Sequence, residues 1–130
     1  MVGVEGKSLM LNRLLQHSEK RVLERRLRRR PELRFGVTAA TVDAFRAQVA
    51  AELLSGMDFD LICDFQVLQP PAEQISCRIY SRQGGSCSAA EVAELLGGSG
   101  DGDLCAFTVP NLFAFQQLWA KEEFVSEGDS

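Results

Sequence analysis

Phe59-Asp60-Leu61-Ile62-Cys63-Asp64-Phe65-Gln66-Val67-Leu68 and, a few residues on, Gln74-Ile75-Ser76-Cys77-Arg78-Ile79-Tyr80 decide the fold class. In the first run Phe59, Leu61, Cys63, Phe65 and Val67 alternate with Asp60, Ile62, Asp64, Gln66 and Leu68. In the second, Ile75, Cys77 and Ile79 alternate with Gln74, Ser76, Arg78 and Tyr80. A period of two is the signature of a half-buried strand. The intervening Gln69-Pro70-Pro71-Ala72 reads as a rigid turn, so residues 59–82 are expected to form an antiparallel hairpin.

Helical signals flank this hairpin. Upstream, Val42, Phe45, Val49 and Leu53 recur on one helical face, with Thr38 or Thr41 able to cap and Gly56 as the stop. Asp43, Arg46, Gln48 and Glu52 fall on the other faces. Downstream, Ser88-Ala89-Ala90-Glu91 matches a capping box ahead of Val92, Leu95 and Leu96, and Gly97-Gly98 ends that helix. The glycine-rich run 97–102 reads as a flexible connector, not a phosphate loop, because it lacks the Gly-Lys-Ser/Thr ending. A third strand is expected over about 103–109, with Cys105, Phe107 and Val109 in phase. A last helix opens at Pro110-Asn111, with Leu112, Phe115, Leu118 and Trp119 facing inward.

The N-terminal third reads as one long basic helix, from about Ser8 to Arg30. Leu11, Leu14, Leu15, Val22, Leu23 and Leu27 fall at roughly helical spacing, and Pro31 marks the stop. Such a helix would be about 35 Å long. The expected architecture is α+β in the order α-α-β-β-α-β-α: a small antiparallel sheet with helices on one face and a long basic N-terminal helix. The expected organisation is a basic helical arm over 1–34, an α+β body over 35–125 and a frayed acidic tail over 126–130.

Length and composition agree with one domain. The chain has 130 residues, 45% hydrophobic and 25% charged, which suits a globular body. No apolar run is long enough to cross a membrane. With no secretory signal visible, a cytoplasmic or nuclear location is expected.

Charge is the most informative bulk property. Residues 1–34 hold ten of the fourteen Lys and Arg and four acids, a net of +6, which leaves −10 on residues 35–130. A cationic segment on an anionic body points to an interaction arm. Its densest part contributes Arg25, Arg26, Arg28, Arg29 and Arg30, the candidate partner-binding residues. Arginine suits phosphate and carboxylate through its planar fork. The bland alternative is a solvated face whose arginine stems cover apolar surface while nearby glutamates pair with them.

Other candidate chemistry is thin. Cys63, Cys77, Cys87 and Cys105 form no Cys-x-x-Cys pair, so a zinc site is not indicated. Three of them share the apolar phase of their strands and read as buried free thiols. Cys87 precedes the capping Ser88, where a helix N-terminus would lower a thiol pKa, but His17 is the sole imidazole for a Cys–His pair. Asp58, Asp60 and Asp64 resemble a carboxylate cluster, but Asp60 and Asp64 lie about 13 Å apart along a strand, too far to share a metal. They read as the wet side of the sheet or as a landing place for the arginines.

No catalytic residue, cofactor, metal or small-molecule substrate is therefore assigned. The expected function is a non-enzymatic protein-protein interaction, adaptor or regulatory protein that self-associates, as a homodimer, through its N-terminal helices. An exposed strand edge could add a partner peptide. The alternative is a nucleic-acid-binding protein that sets the Arg-rich helix on phosphates. No aromatic residue before Phe35 offers a base a stacking platform.

Overall fold

Helix α1 (Val2–Arg21) stops well short of the expected Arg30, because the chain turns at Val22 and enters a sheet. The computed structural model describes residues 2–68, 74–82, 85, 87–101 and 104–120. The turn expected at 69–72 and the acidic tail expected at 126–130 lie outside the described residues. After α1 come β1 (Leu23–Leu27), β2 (Arg30–Ala39), a 3-10 turn (Asp43–Phe45) and α2 (Arg46–Gly56). They are followed by β3 (Leu61–Val67), β4 (Ile75–Ser81), α3 (Ala89–Leu96), β5 (Ser99–Asp101), β6 (Leu104–Val109) and α4 (Leu112–Gln116).

The α+β class stands, and the order α-α-β-β-α-β-α is present with β1, β2 and β5 added to it. The six strands lie in the order β1-β2-β3-β4-β6-β5. The hairpin read from residues 59–82 forms as β3 and β4, with Leu61 opposite Ser81 and Val67 opposite Ile75. β2 and β3 run parallel, joined by the α2 crossover that a parallel pair requires. The sheet is therefore mixed, not purely antiparallel.

The Arg-rich segment is a β-hairpin, which corrects the helical arm. β1 pairs antiparallel with β2, Leu23 opposite Val37 and Arg26 opposite Arg34. The register then shifts to bring Leu27 opposite Arg30, so Pro31 falls in an irregularity that needs no ladder hydrogen bond from it. The reason for the change is tertiary. Leu11, Leu14, Leu15 and Val22 pack with α2 in one apolar cluster, whereas Leu27 is fully buried in the cluster on the opposite face of the sheet. One straight helix could not reach both. The boundary expected at Arg34 therefore runs through β2.

Helices cover both faces, not one. Val49, Ala50, Leu53 and Leu54 of α2 join the α1 leucines over Ile62 and Tyr80. On the other face, Ala89, Val92 and Ala93 of α3, with Phe115 and Trp119, cover Phe35, Leu61, Cys63, Cys77, Ile79 and Cys105. Strands buried on both faces need apolar residues in both phases, and Ile62 and Tyr80 supply the second phase. Thr38 belongs to β2 and Phe45 precedes α2, with no side-chain cap there.

Local signals fared well around α3. Ser88 and Glu91 make the reciprocal capping box, and Gly97 closes the helix at φ +73°, a left-handed conformation that glycine adopts without a Cβ penalty. The expected glycine connector is instead partly strand. β5 pairs with β6, placing Gly100 opposite Cys105. All four cysteines are buried and free, as expected of 63, 77 and 105.

Gly36 lies close against the apolar cluster on the α2 side of the sheet. A Cβ there would lie 2.6 Å from the Phe59 ring and 2.9 Å from the Ile62 side chain, both buried. Gly36→Ala is expected to cost about 1–3 kcal/mol through overpacking. Urea unfolding checks it, and a cost near zero would mean that the Phe59 ring can move aside.

Candidate functional site

The sheet face under α3 and α4 is covered unevenly. α3 packs on β4, β5 and β6, while α4 has only five residues and packs on β6. Among the described residues no helix covers Val37 and Phe65 at the ends of β2 and β3, and an open groove of about 580 Å³ lies there. Its lining includes Val37 and Phe65 from the sheet and Phe115 and Trp119 from the C-terminal segment. These aromatic rings are held by one another: Phe65 and Phe115 sit 5.1 Å apart, Phe115 and Trp119 5.8 Å, and Trp119 packs edge-on to Phe35 at 5.2 Å.

Leu112 was expected to face inward but is 57% exposed at this groove, and Phe113 beside it is 69% exposed. A helix this short buries Phe115 and leaves its first turn outside. Leu23 of β1, also exposed, lines the groove too, together with Arg21, Arg25 and Arg28. Odd-numbered residues of β1 share the face of Leu27, which is why Leu23 and Arg25 arrive there.

The five candidate arginines separate by strand phase and position. Arg25 lines the groove. Arg26, on the other face, donates to the Pro31 carbonyl at 3.2 Å and lies 3.7 Å from Glu24. Arg28 Nε donates to the Trp119 carbonyl at 3.4 Å. Arg29 donates to the Leu95 carbonyl at 2.9 Å, in the last turn of α3, where carbonyls lack helical partners and the helix dipole favours a cation. Arg30 pairs with Glu32, which raises the arginine pKa and lowers that of the glutamate. The hairpin tip thus clamps the end of α3 and the segment that follows α4.

Arg34 was not singled out, yet it organises the edge. Its guanidinium bridges Glu24 at 3.0 Å and Asp58 at 2.8 Å, and this raises its own pKa. The Arg34 hydrogen bond holds the Glu24 carboxyl below the usual range. Asp60 accepts a hydrogen bond from the Arg34 backbone amide at 2.8 Å. Asp58 is thus a landing place for an arginine.

Asp64 is not on a wet face. It is buried beneath α2, receiving Arg46 Nη2 at 2.6 Å and Nε at 3.0 Å, with the Tyr80 hydroxyl donating at 3.2 Å. Arg46 was placed on the outer face of its helix and is buried instead. One sequence signal could have found the pair: Asp64 shares the strand phase of Ile62, whose burial requires a covering helix on that side.

The structure does not bring Cys87 and His17 together. Cys87 packs in the α3 cluster, whereas His17 lies exposed on α1 across the sheet. Burial, then the neighbouring Glu91 charge, push the Cys87 thiol up, opposite to the lowering expected from a helix N-terminus. Among the described residues, no three His, Cys, Asp or Glu side chains cluster as a metal site, and no helix is long and apolar enough to cross a membrane. No protein-family model matches the sequence and no curated protein is significantly similar to it, so a functional reading of this chain stands on the groove and the surfaces around it.

Proposed function

We propose that this protein is a non-enzymatic protein-interaction module, of adaptor or regulatory type, that self-associates through its N-terminal helices and meets a partner protein at the arginine-rimmed groove. The observation that carries the reading is a set of large apolar side chains held at the surface. Leu9 and Met10 on α1 and Val42 ahead of α2 are exposed, as are Leu23 and Leu112 in the groove lining and Phe113 beside Leu112. Scattered apolar residues are ordinary, but a cluster lining a concave surface favours a partner.

The rival nucleic-acid reading relied on arginine rows along a helix. Arg25 to Arg30 lie instead in a hairpin whose tip turns toward α3 and α4. That leaves fewer guanidinium groups aligned along one face for a phosphate backbone.

Light scattering on the full chain at micromolar concentration tests self-association. A dimer mass is expected, falling to the monomer mass in Leu9→Glu/Met10→Glu with unchanged circular dichroism. A monomer throughout would remove the self-association. Tight duplex DNA binding that weakens steeply with salt would replace the protein-partner reading with the rival.

A further inference from the structure

We infer that the groove beside β1 docks an extended segment of a partner protein that carries carboxylates and large apolar side chains. This rests on the interaction reading above and names its partner chemistry. The volume, about 580 Å³, lies within the range of built binding clefts. Aromatic and aliphatic side chains line it, which selects apolar groups. Arg21 and Arg28 contribute cations to the same lining, which selects carboxylates and rejects a basic segment.

The edge of the sheet adds main-chain recognition. β1 is an outer strand. Part of its outer side is paired: Arg28 N–H donates to the Leu118 carbonyl at 2.8 Å, Ala120 N–H donates to the Arg26 carbonyl at 2.7 Å, and Leu27 bridges Trp119. The edge is therefore competent for strand addition, and the chain itself uses it. Among the described residues that pairing ends at Ala120, which lines the groove, as does Leu23 farther along the strand. A segment laid on this edge would drop alternate side chains into the groove. Trp119 contributes a further polar feature: its indole N–H is buried with no acceptor among the described residues, in a residue of the groove lining.

Fluorescence anisotropy with the full chain tests the inference. The probe is a fluorescein-labelled peptide of alternating glutamate and leucine. Two controls replace every glutamate by lysine or every leucine by serine. Only the glutamate–leucine peptide is expected to bind. Leu112→Glu, at an exposed position, and Arg21→Glu are each expected to weaken it by about tenfold or more, with thermal unfolding near that of the parent.

Equal binding of the lysine peptide, or unchanged affinity in both variants, would overturn the inference. If the peptide fails to bind while an α1-dependent dimer persists, the groove assignment falls and the interaction reading stands. If both fail, both fall.

Discussion

Arg46→Ala is expected to destabilise the protein by about 3–5 kcal/mol, because it strands the Asp64 carboxylate in the interior. Both side chains are about 95% buried and meet through two hydrogen bonds, at 2.6 and 3.0 Å. An exposed pair of the same residues would contribute about 0–1 kcal/mol, so location decides the magnitude. Among the described residues Asp64 retains only the Tyr80 hydroxyl as a side-chain partner once the guanidinium is gone.

The pair need not stabilise the fold relative to an apolar replacement. Arg46→Met, Asp64→Leu and Tyr80→Phe combined are expected to lie closer to the parent than Arg46→Ala alone, since no buried polar group is then left without a partner. Urea unfolding of the three single variants and the combination measures this. A cost below about 1 kcal/mol for Arg46→Ala would show that water reaches the site.

Leu27→Ala should be the next most costly change, at about 2–5 kcal/mol, for a residue that looks peripheral in a run of arginines. Leu27 is completely buried, between Arg26 and Arg28, and carries the hairpin into the cluster with Phe35 and Trp119. Its backbone also bridges Trp119, so the deletion leaves a void where two segments distant in sequence meet. A leucine on a solvated helical arm would cost within about 0.5 kcal/mol. The same denaturant series decides between these values. A small effect with the parent near-ultraviolet circular dichroism would place the arginine segment outside the core.

The parts of the fold legible in the sequence are those whose signals are local. The capping box at Ser88–Glu91 spans four residues and needs no distant partner. The β3–β4 hairpin shows its period directly, and its register follows from the short link between the strands. The Arg-rich segment was misread because Leu11 to Leu27 fit a helical period loosely, while Leu33, Phe35 and Val37 carry a period of two that extends back across the turn. Those three are buried on the α3 side of the sheet. The groove was hidden for a different reason. Helical spacing in 112–119 gives an inward stripe only if the helix continues, and α4 ends at Gln116.

By itself, the amino-acid sequence determined the α+β class, the core positions of β3, β4 and α3, the buried thiols and the separation of basic from acidic segments. Each follows from side chains a few residues apart, whose period or capping geometry is a property of the local chain. Tertiary structure alone decided that the arginines form an edge hairpin, that Arg46 and Asp64 meet inside, and that a groove forms beside β1 among the described residues. These outcomes depend on which face of the sheet each apolar group reaches and on how far a short helix can cover it. Competition for burial between distant segments settles both.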